Sequence, residues 1–257
     1  NLDKFASESL RFNNFHVSPV CAPTRSSLLT GRYSLRTGVT DTYNGGAIMS
    51  SSEITLAEIF AEKNYKTGIF GKWHLGDNYP SRPSDQGFQE SLIHLAGGIG
   101  QVGDFTNYYA GNESYYDPAL WHNNEIKKYE GYCSDIFTDE ALKFIEQNKS
   151  NQFFCYLSFN APHTPLQVPE KYYDLYKDID PSNFYEEVTS EMTERDVNDA
   201  KKIYGMVTNI DENFGKLLYK LEELDIKENT IVIFLTDNGP QQTRYVSNLR
   251  GLKSQVY

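Results

Sequence analysis

The strongest constraint on the fold is a repeated order of a helical pattern followed by a short apolar segment. Amphipathic helical patterns cover residues 55–64, 134–149 and 197–226. Each is followed by a short apolar or β-branched segment that contains or ends near Gly, Pro or Asn, and these segments cover residues 65–74, 153–163 and 230–239. Such segments predict buried strands, and the alternation predicts an α/β fold. We expect a mixed, mostly parallel central sheet with helices on both faces, because its strands are apolar almost throughout.

Polar side chains stand at the ends of all three predicted strands. Lys72 and His74 end the first, His163 ends the second, and Asp237 and Asn238 end the third. Ligands of open α/β sheets bind beyond the carboxyl ends of the strands. The sequence therefore predicts that these residues lie at one edge of the sheet, in a binding site.

Composition excludes some classes of function. The chain has 257 residues and a formal net charge of −11, which argues against general nucleic-acid binding because that needs a basic face. No apolar segment is long enough to span a membrane. The three cysteines are far apart, without a C-x-x-C pair that would indicate zinc. The negative net charge does not exclude an anionic substrate, because nearby cationic groups can determine the electrostatic potential inside a pocket.

Two features concern the organisation of the chain. The sequence begins with Asn in a helical pattern and ends without a polar tail, so we expect one domain over residues 1–257 that is incomplete at both ends. Residues 76–132 are rich in Gly, Asn, Tyr and Asp and show weak periodicity, which predicts a long loop excursion over the surface.

The segment SPVCAPTRSSLLTGRY places Cys21 in a turn before a short helix that Gly31 ends. A helix N-terminus attracts anions and lowers the pKa of a thiol, so Cys21 could be a nucleophile, a metal ligand or part of a buried turn. Cysteine phosphatases carry an arginine six positions after the cysteine. Here that position holds Ser27, while Arg25 comes four positions after Cys21, so a phosphatase of this kind is excluded.

The extended segment SPVCAPTRSSLLTGRYSLRTGV resembles the first signature of the type I sulfatases, in the alkaline phosphatase superfamily. TGIFGKWHLG resembles the second signature, and APHTP and TDNG resemble later active-site segments, in the same order. Thr24 stands where serine is commoner in that family and keeps the hydroxyl group. The resemblance covers nearly the whole chain and is weakest between residues 76 and 132.

The resemblance implies that Cys21 is converted by a maturation enzyme into formylglycine, an aldehyde whose hydrate attacks the sulfur of a sulfate ester. Its second hydroxyl then loses a proton, and sulfate leaves. The resemblance also implies a role for each further residue. Cys21, Asp237 and Asn238 bind Ca²⁺ or Mg²⁺, and Arg25 and Lys72 hold the hydrate. His74 bonds the second hydroxyl and takes its proton, His163 and Lys253 hold the sulfate, and either His163 or Lys253 protonates the leaving oxygen. The family's acidic pair from an earlier strand has no counterpart near the start of this sequence, so we expect an incomplete metal site.

The predicted substrate is a sulfated carbohydrate or an aryl sulfate, and the family resemblance implies a periplasmic or secreted protein. Two other functions stay open. One is a phosphonate or phosphate monoester hydrolase of the same superfamily, and the other is a non-catalytic fragment that binds a glycan in the same pocket.

Overall fold

A five-stranded sheet forms the centre of the molecule in a computed structural model that describes residues 1–104, 114–184, 191–247, 249 and 251–256. The strand order is β4-β3-β2-β1-β5. The strands are β1 (Lys66–Lys72), β2 (Glu90–His94), β3 (Ala119–His122), β4 (Glu125–Lys128) and β5 (Phe153–Ser158). β1 pairs in parallel with both β2 and β5, whereas β3 is antiparallel to β2 and to β4. All described strands except β3 therefore run in the same direction, in the mixed sheet that was predicted.

Helices cover both faces of this sheet. They are α1 (Leu2–Ser7), α2 (Cys21–Thr30), α3 (Leu56–Glu62), α4 (Cys133–Gln147), α5 (Glu170–Tyr173) and α6 (Glu194–Glu223). Successive side chains of β1 point to opposite faces. Phe70 packs in a core with Phe137 of α4 and Met206 of α6, while Ile69 packs in a second core with Leu29 of α2 and Ala57 of α3. The predicted α/β fold with helices on both faces is confirmed.

Local sequence explains where two of the predicted helices begin. Thr55 accepts a hydrogen bond from the backbone of Glu58, whose side chain bonds back to the backbone of Thr55, and Thr193 and Asp196 form the same reciprocal pair at the start of α6. Such capping boxes satisfy backbone N–H groups that have no partner within the helix. None of the described helices is both long and apolar enough to cross a membrane.

The strand predicted at residues 230–239 is not formed, which corrects that part of the sequence analysis. Ile231 is 89% exposed and Ile233 is 76% exposed, while Val232 packs against the core and Phe234 meets Phe214 edge to face at 5.4 Å. A strand requires a neighbour that completes its backbone hydrogen bonds. Among the described residues no strand pairs with this segment, so its apolar pattern alone does not make it part of the sheet.

The loop excursion predicted at residues 76–132 is also corrected. It contains β2, β3 and β4, and Tyr115 and Tyr132 stack at 5.6 Å within the core. Strands of four or five residues are too short to show periodicity, and these are stabilised by pairing, β2 with β1, β3 with β2 and β4 with β3. Residues 105–113 of the predicted loop lie outside the described residues.

Candidate active site

The start of α2 and the end of β1 meet at one edge of the sheet. Cys21 is the first residue of α2 and is buried, and its Sγ lies 3.4 Å from Nδ1 of His74, two residues after β1. Gly31 ends the helix in the left-handed conformation, at φ 66°, which glycine adopts without strain. The structure thus brings together two of the predicted residues that are 53 positions apart in the sequence.

A cavity of about 360 Å³ opens next to this pair. Four of the residues selected from the sequence line it, namely Cys21, His74, His163 and Lys253. Its other walls include the neutral side chains of Thr42, Tyr43, Gln101, Thr164, Gln241 and Ser254. Among the described residues that line the cavity none is Asp or Glu, so its only formal charge comes from a cation.

The tautomer of His74 follows from its hydrogen bonds. Nε2 lies 2.9 Å from the carbonyl oxygen of Thr42, which can only accept, so Nε2 carries the proton. Nδ1 therefore presents its lone pair to Cys21. Burial, followed by the positive charge of Lys72, lowers the pKa of His74 from 6.5 to about 3. At neutral pH the ring is an uncharged base aimed at the side chain of residue 21.

His163 is held in a similar way on another wall. Its Nδ1 donates to the carbonyl oxygen of Thr164 at 2.8 Å, which leaves Nε2 as the unprotonated nitrogen. The hydroxyl of Tyr115 donates to the His163 carbonyl oxygen at 2.7 Å. Burial and then the charge of Lys72 lower the pKa of His163 from 6.5 to about 3, so this ring is also neutral at pH 7.

Arg25 ties α2 to the ends of two strands. Its Nε donates to the carbonyl oxygen of Trp73 at 2.9 Å, and its Nη2 donates to the carbonyl oxygen of Lys72 and to the hydroxyl of Ser158. The guanidinium carbon lies 5.7 Å from the centre of the Tyr156 ring. The side chain is only 5% exposed. Arg25 therefore fixes the position of Cys21 relative to the end of β1, a role that the sequence did not indicate.

Lys72 supplies a buried positive charge behind the cavity. It is 3% exposed, and burial lowers its pKa, with the negative form of Cys21 and the carboxylate of Asp237 acting in the opposite direction. Arg25 and Lys253 lower the pKa of Lys72 further by repulsion. These effects place Arg25, Lys253, Cys21 and Asp237 within electrostatic reach of Lys72.

The donors predicted to bind a metal fit in kind but not in number. Asp237 offers a carboxylate, and Oδ1 of Asn238 is buried without a hydrogen-bond partner among the described residues. These are hard oxygen ligands of the type that Ca²⁺ and Mg²⁺ prefer, but Ca²⁺ takes six to eight of them. The part of the chain that the structure describes contains no group of three or more His, Cys, Asp or Glu side chains that could hold a metal ion. These residues therefore do not form a complete site.

Sequence reasoning missed two glycines that pack against the cavity histidines, and Gly97 also lines the cavity. A Cβ atom on Gly97 would lie 2.8 Å from Cε1 of His74, and one on Gly98 would lie 2.6 Å from Nδ1 of His163. The backbone of the segment after β2 is thus packed directly against both imidazoles. The Gly-Gly pair was visible in the sequence, but nothing there indicated which side chains it would meet.

The sulfatase family model matches residues 1–256 of this chain. The chain belongs to the sulfatase family. An ulvan-active sulfatase of Formosa agariphila is 31% identical over 269 residues, covering 100% of this chain and 48% of that protein, and arylsulfatase J of Mus musculus is 28% identical, covering 100% and 41%. Among solved structures, a putative sulfatase of Bacteroides fragilis has a TM-score of 0.74 at 26% identity, covering 94% of this chain and 57% of that one.

A second solved neighbour, described as Ps i-CgsB in complex with a neocarrahexaose, has a TM-score of 0.72 at 28% identity and covers 91% of this chain and 52% of that chain. The present chain spans about half the length of the curated sulfatases it matches. The sulfatase family and the α/β fold predicted from the sequence are confirmed. The roles of the individual site residues, the metal and the modification stay predictions.

Proposed function

We propose that the protein containing this chain hydrolyses sulfate esters, with a formylglycine derived from Cys21 as the nucleophile. The observation that carries the proposal is the contact of 3.4 Å between Cys21 Sγ and the unprotonated nitrogen of His74 at the wall of a cavity without carboxylates among its described lining. A sulfate ester is an anion, and a carboxylate in this wall would repel it.

The proposed role of His74 is that of a general base. Formylglycine would supply a hydrated aldehyde, with one hydroxyl to attack sulfur and a second whose deprotonation releases sulfate. Nδ1 of His74 faces this group and is unprotonated at neutral pH, so it can accept that proton. The Thr42 carbonyl keeps Nε2 protonated and thereby fixes which nitrogen faces residue 21. Without that hydrogen bond the proton could move to Nδ1, which could then no longer accept a proton from residue 21.

The cations have separate proposed roles. Lys253 lines the cavity and can approach the sulfate and the leaving oxygen, while Lys72 is buried behind the cavity and contributes positive potential. His163 holds its only ring proton on Nδ1, which donates to Thr164, so Nε2 can accept a hydrogen bond but has no proton to give. We therefore assign protonation of the leaving oxygen to Lys253, and a positioning contact to His163.

A divalent cation is part of the proposal, with Asp237 and Asn238 as two of its ligands. It would supply positive charge that polarises the ester. Oδ1 of Asn238, which has no hydrogen-bond partner among the described residues, supports this assignment. No step is assigned to the cation here, because these residues provide only part of a coordination shell.

The proposed substrate is a sulfated carbohydrate. Gln101, Gln241 and Thr42 provide amide and hydroxyl groups suited to sugar hydroxyls, and Tyr43, 64% exposed at the rim, offers a ring on which a sugar can stack. The relative named for ulvan and the neighbour with a bound neocarrahexaose support this class. A partner in maturation, an enzyme that generates formylglycine, is implied by the same chemistry.

The test uses the full-length protein produced together with a formylglycine-generating enzyme. We expect mass spectrometry to show the aldehyde in the peptide that contains Cys21, and we expect faster turnover of an aryl sulfate than of the matching aryl phosphonate. Faster phosphonate turnover would assign the protein to the phosphonate hydrolases. Binding of a sulfated glycan without turnover, despite a modified Cys21, would show a non-catalytic binding protein instead.

A further inference from the structure

A buried carboxylate organises the segment that packs against both histidines. We name residues 95–104 the Asp104 loop. Oδ1 of Asp104 accepts hydrogen bonds from the backbone N–H groups of Leu95 at 2.8 Å and Ala96 at 3.2 Å, and Oδ2 accepts one from Gly100 at 2.9 Å. One side chain thus joins the first two residues of the loop to its middle.

His94, the last residue of β2, lies beside this carboxylate. Its Nδ1 is 3.4 Å from Oδ2 of Asp104, and the two side chains are only 1% and 3% exposed. Burial lowers the pKa of His94, so the ring is neutral at pH 7. Burial alone would raise the pKa of Asp104, but His94 and the backbone amides outweigh it, so Asp104 is ionised. The carboxylate therefore depends for its stabilisation on three backbone N–H groups and on the adjacent His94 ring.

The loop is also anchored through its apolar side chains. Leu95 lies in the core on the α2 and α3 face of the sheet, and Ile99 lies in the core on the α4 and α6 face. The hydroxyl of Ser114 donates to the carbonyl oxygen of Ile99 at 3.0 Å. Between these anchors stand Gly97 and Gly98, whose backbones touch the two imidazoles of the cavity.

The contacts leave little room for movement of the rings. A Cβ on Gly97 would be 2.8 Å from Cε1 and 3.0 Å from Nε2 of His74, and one on Gly98 would be 2.6 Å from Nδ1 and 2.8 Å from Cε1 of His163. Real Cβ atoms do not approach this closely, so only bare backbone fits. A shift of the loop would open space beside both rings at once.

We infer that Asp104, supported by His94, is a positioning residue that fixes the orientations of His74 and His163 through the backbone of Gly97 and Gly98. Asp104 and His94 do not line the cavity and so act through the loop. The expected effect on catalysis rests on the proposed function, whereas the effect on the two rings does not.

The experiment uses the full-length matured protein and the variant Asp104→Ala. We expect kcat for an aryl sulfate to fall about 100-fold with little change in KM, because an error of about 1 Å in a catalytic group has effects of this size. Asp196→Ala is the matched control, since Asp196 also accepts a backbone N–H, that of Thr193, but at the start of α6 and outside the cavity. It should leave kcat unchanged.

A second readout does not need turnover. Diethylpyrocarbonate modifies neutral imidazoles, and peptide mass spectrometry gives a rate for each histidine. We expect Asp104→Ala, but not Asp196→Ala, to raise the rates of His74 and His163 several-fold. His94→Asn should behave more like the parent protein than His94→Gln, because the asparagine amide places an N–H near the position of Nδ1 and the glutamine amide does not.

The outcomes separate the inference from the proposed function. If the rates of modification rise in Asp104→Ala while kcat stays unchanged, the positioning inference stands and the catalytic roles of the histidines are wrong. If Asp104→Ala folds and both readouts match the parent protein, the inference is overturned. Should Asp104→Ala fail to fold, Asp104→Asn, which keeps one acceptor oxygen, is measured in its place and judged by the same two readouts.

Discussion

The substitution Gly98→Ala tests how tightly the active-site geometry depends on bare backbone. The added Cβ would lie 2.6 Å from Nδ1 and 2.8 Å from Cε1 of His163, whereas ordinary contacts lie at about 3.5 Å or more. The ring or the loop must therefore move by about 1 Å. The same Cβ would lie 2.9 Å from the carbonyl oxygen of Thr164, which accepts the Nδ1 proton, so the ring cannot move without weakening that hydrogen bond.

A displacement of about 1 Å costs roughly 100-fold in rate, or about 2.7 kcal/mol of transition-state stabilisation. The assay is kcat/KM of the full-length matured protein for an aryl sulfate. Gly205→Ala is the matched control, because its Cβ would lie 2.9 Å from Cγ2 of Val168, a comparable overlap on α6 away from the cavity. We expect this control to lower stability by about 1–3 kcal/mol and to leave kcat/KM unchanged.

The reasoning would be refuted by a folded Gly98→Ala protein with the kcat/KM of the parent. An equal loss in Gly205→Ala would also refute it, since the effect would then come from general destabilisation. An intermediate result has a structural check. A crystal structure of Gly98→Ala should show the His163 imidazole displaced, and an unmoved ring would contradict the contact argument.

Four further predictions concern the site and its stability. Cys21→Ala should abolish aryl sulfate turnover in the matured full-length protein, since alanine provides no hydroxyl; retained turnover would contradict the covalent mechanism. Arg25→Ala leaves the buried backbone carbonyl of Trp73 without its donor, at about 1–3 kcal/mol, while the Lys72 carbonyl keeps the hydroxyl of Ser158 at 3.1 Å. The urea midpoint should therefore fall, and an unchanged midpoint would show that water replaces the guanidinium. The pKa of His163 is lowered from 6.5 in the unfolded chain to about 3 in the folded protein, so as the pH drops the unfolded chain takes up this proton first and the free energy of unfolding should fall between pH 6.5 and 3. His163→Gln should weaken this pH dependence in urea titrations. The same pH dependence in both proteins would argue against a buried neutral ring. Calorimetry of the purified 257-residue chain should show Ca²⁺ binding weaker than micromolar, because Asp237 and Asn238 supply one carboxylate and one amide; tight binding at one site would mean that other ligands complete the shell.

Local signals predicted the helices and the family with success. The helical patterns before β1 and β5 and the long pattern of α6 are confirmed, because capping residues and a 3.6-residue period are properties of a short stretch of chain. The start of α2 at Cys21 follows in the same way from the turn before it and from Gly31 after it. The prediction that Cys21 and His74 lie in one site rested on the general rule that ligands of α/β sheets bind beyond the carboxyl ends of the strands.

Structural features that depend on contacts between distant segments could not be predicted from the sequence. The segment at residues 230–239 has the composition of a strand, but Ile231 and Ile233 are exposed because no described strand completes its hydrogen bonds. The reverse holds for β2, β3 and β4. Each is too short to be recognised from its own sequence, and it forms a strand because it pairs with a neighbour. The contacts of Gly97 and Gly98 with two rings from other segments are equally invisible in one dimension.

The net charge of the chain is negative, whereas the charge of the described cavity lining is positive. The structure explains how a negatively charged protein can contain a positively charged site. A net charge of −11 is spread over the whole molecule, and exposed charges more than about 10 Å apart are largely screened by salt. Inside the site the described lining has no carboxylate, Lys253 faces the cavity, and Lys72 is buried behind it. The charge of Lys72 also helps to keep both histidines unprotonated. The same buried cation can therefore attract an anionic ester and preserve the unprotonated nitrogen of His74 that the proposed reaction requires.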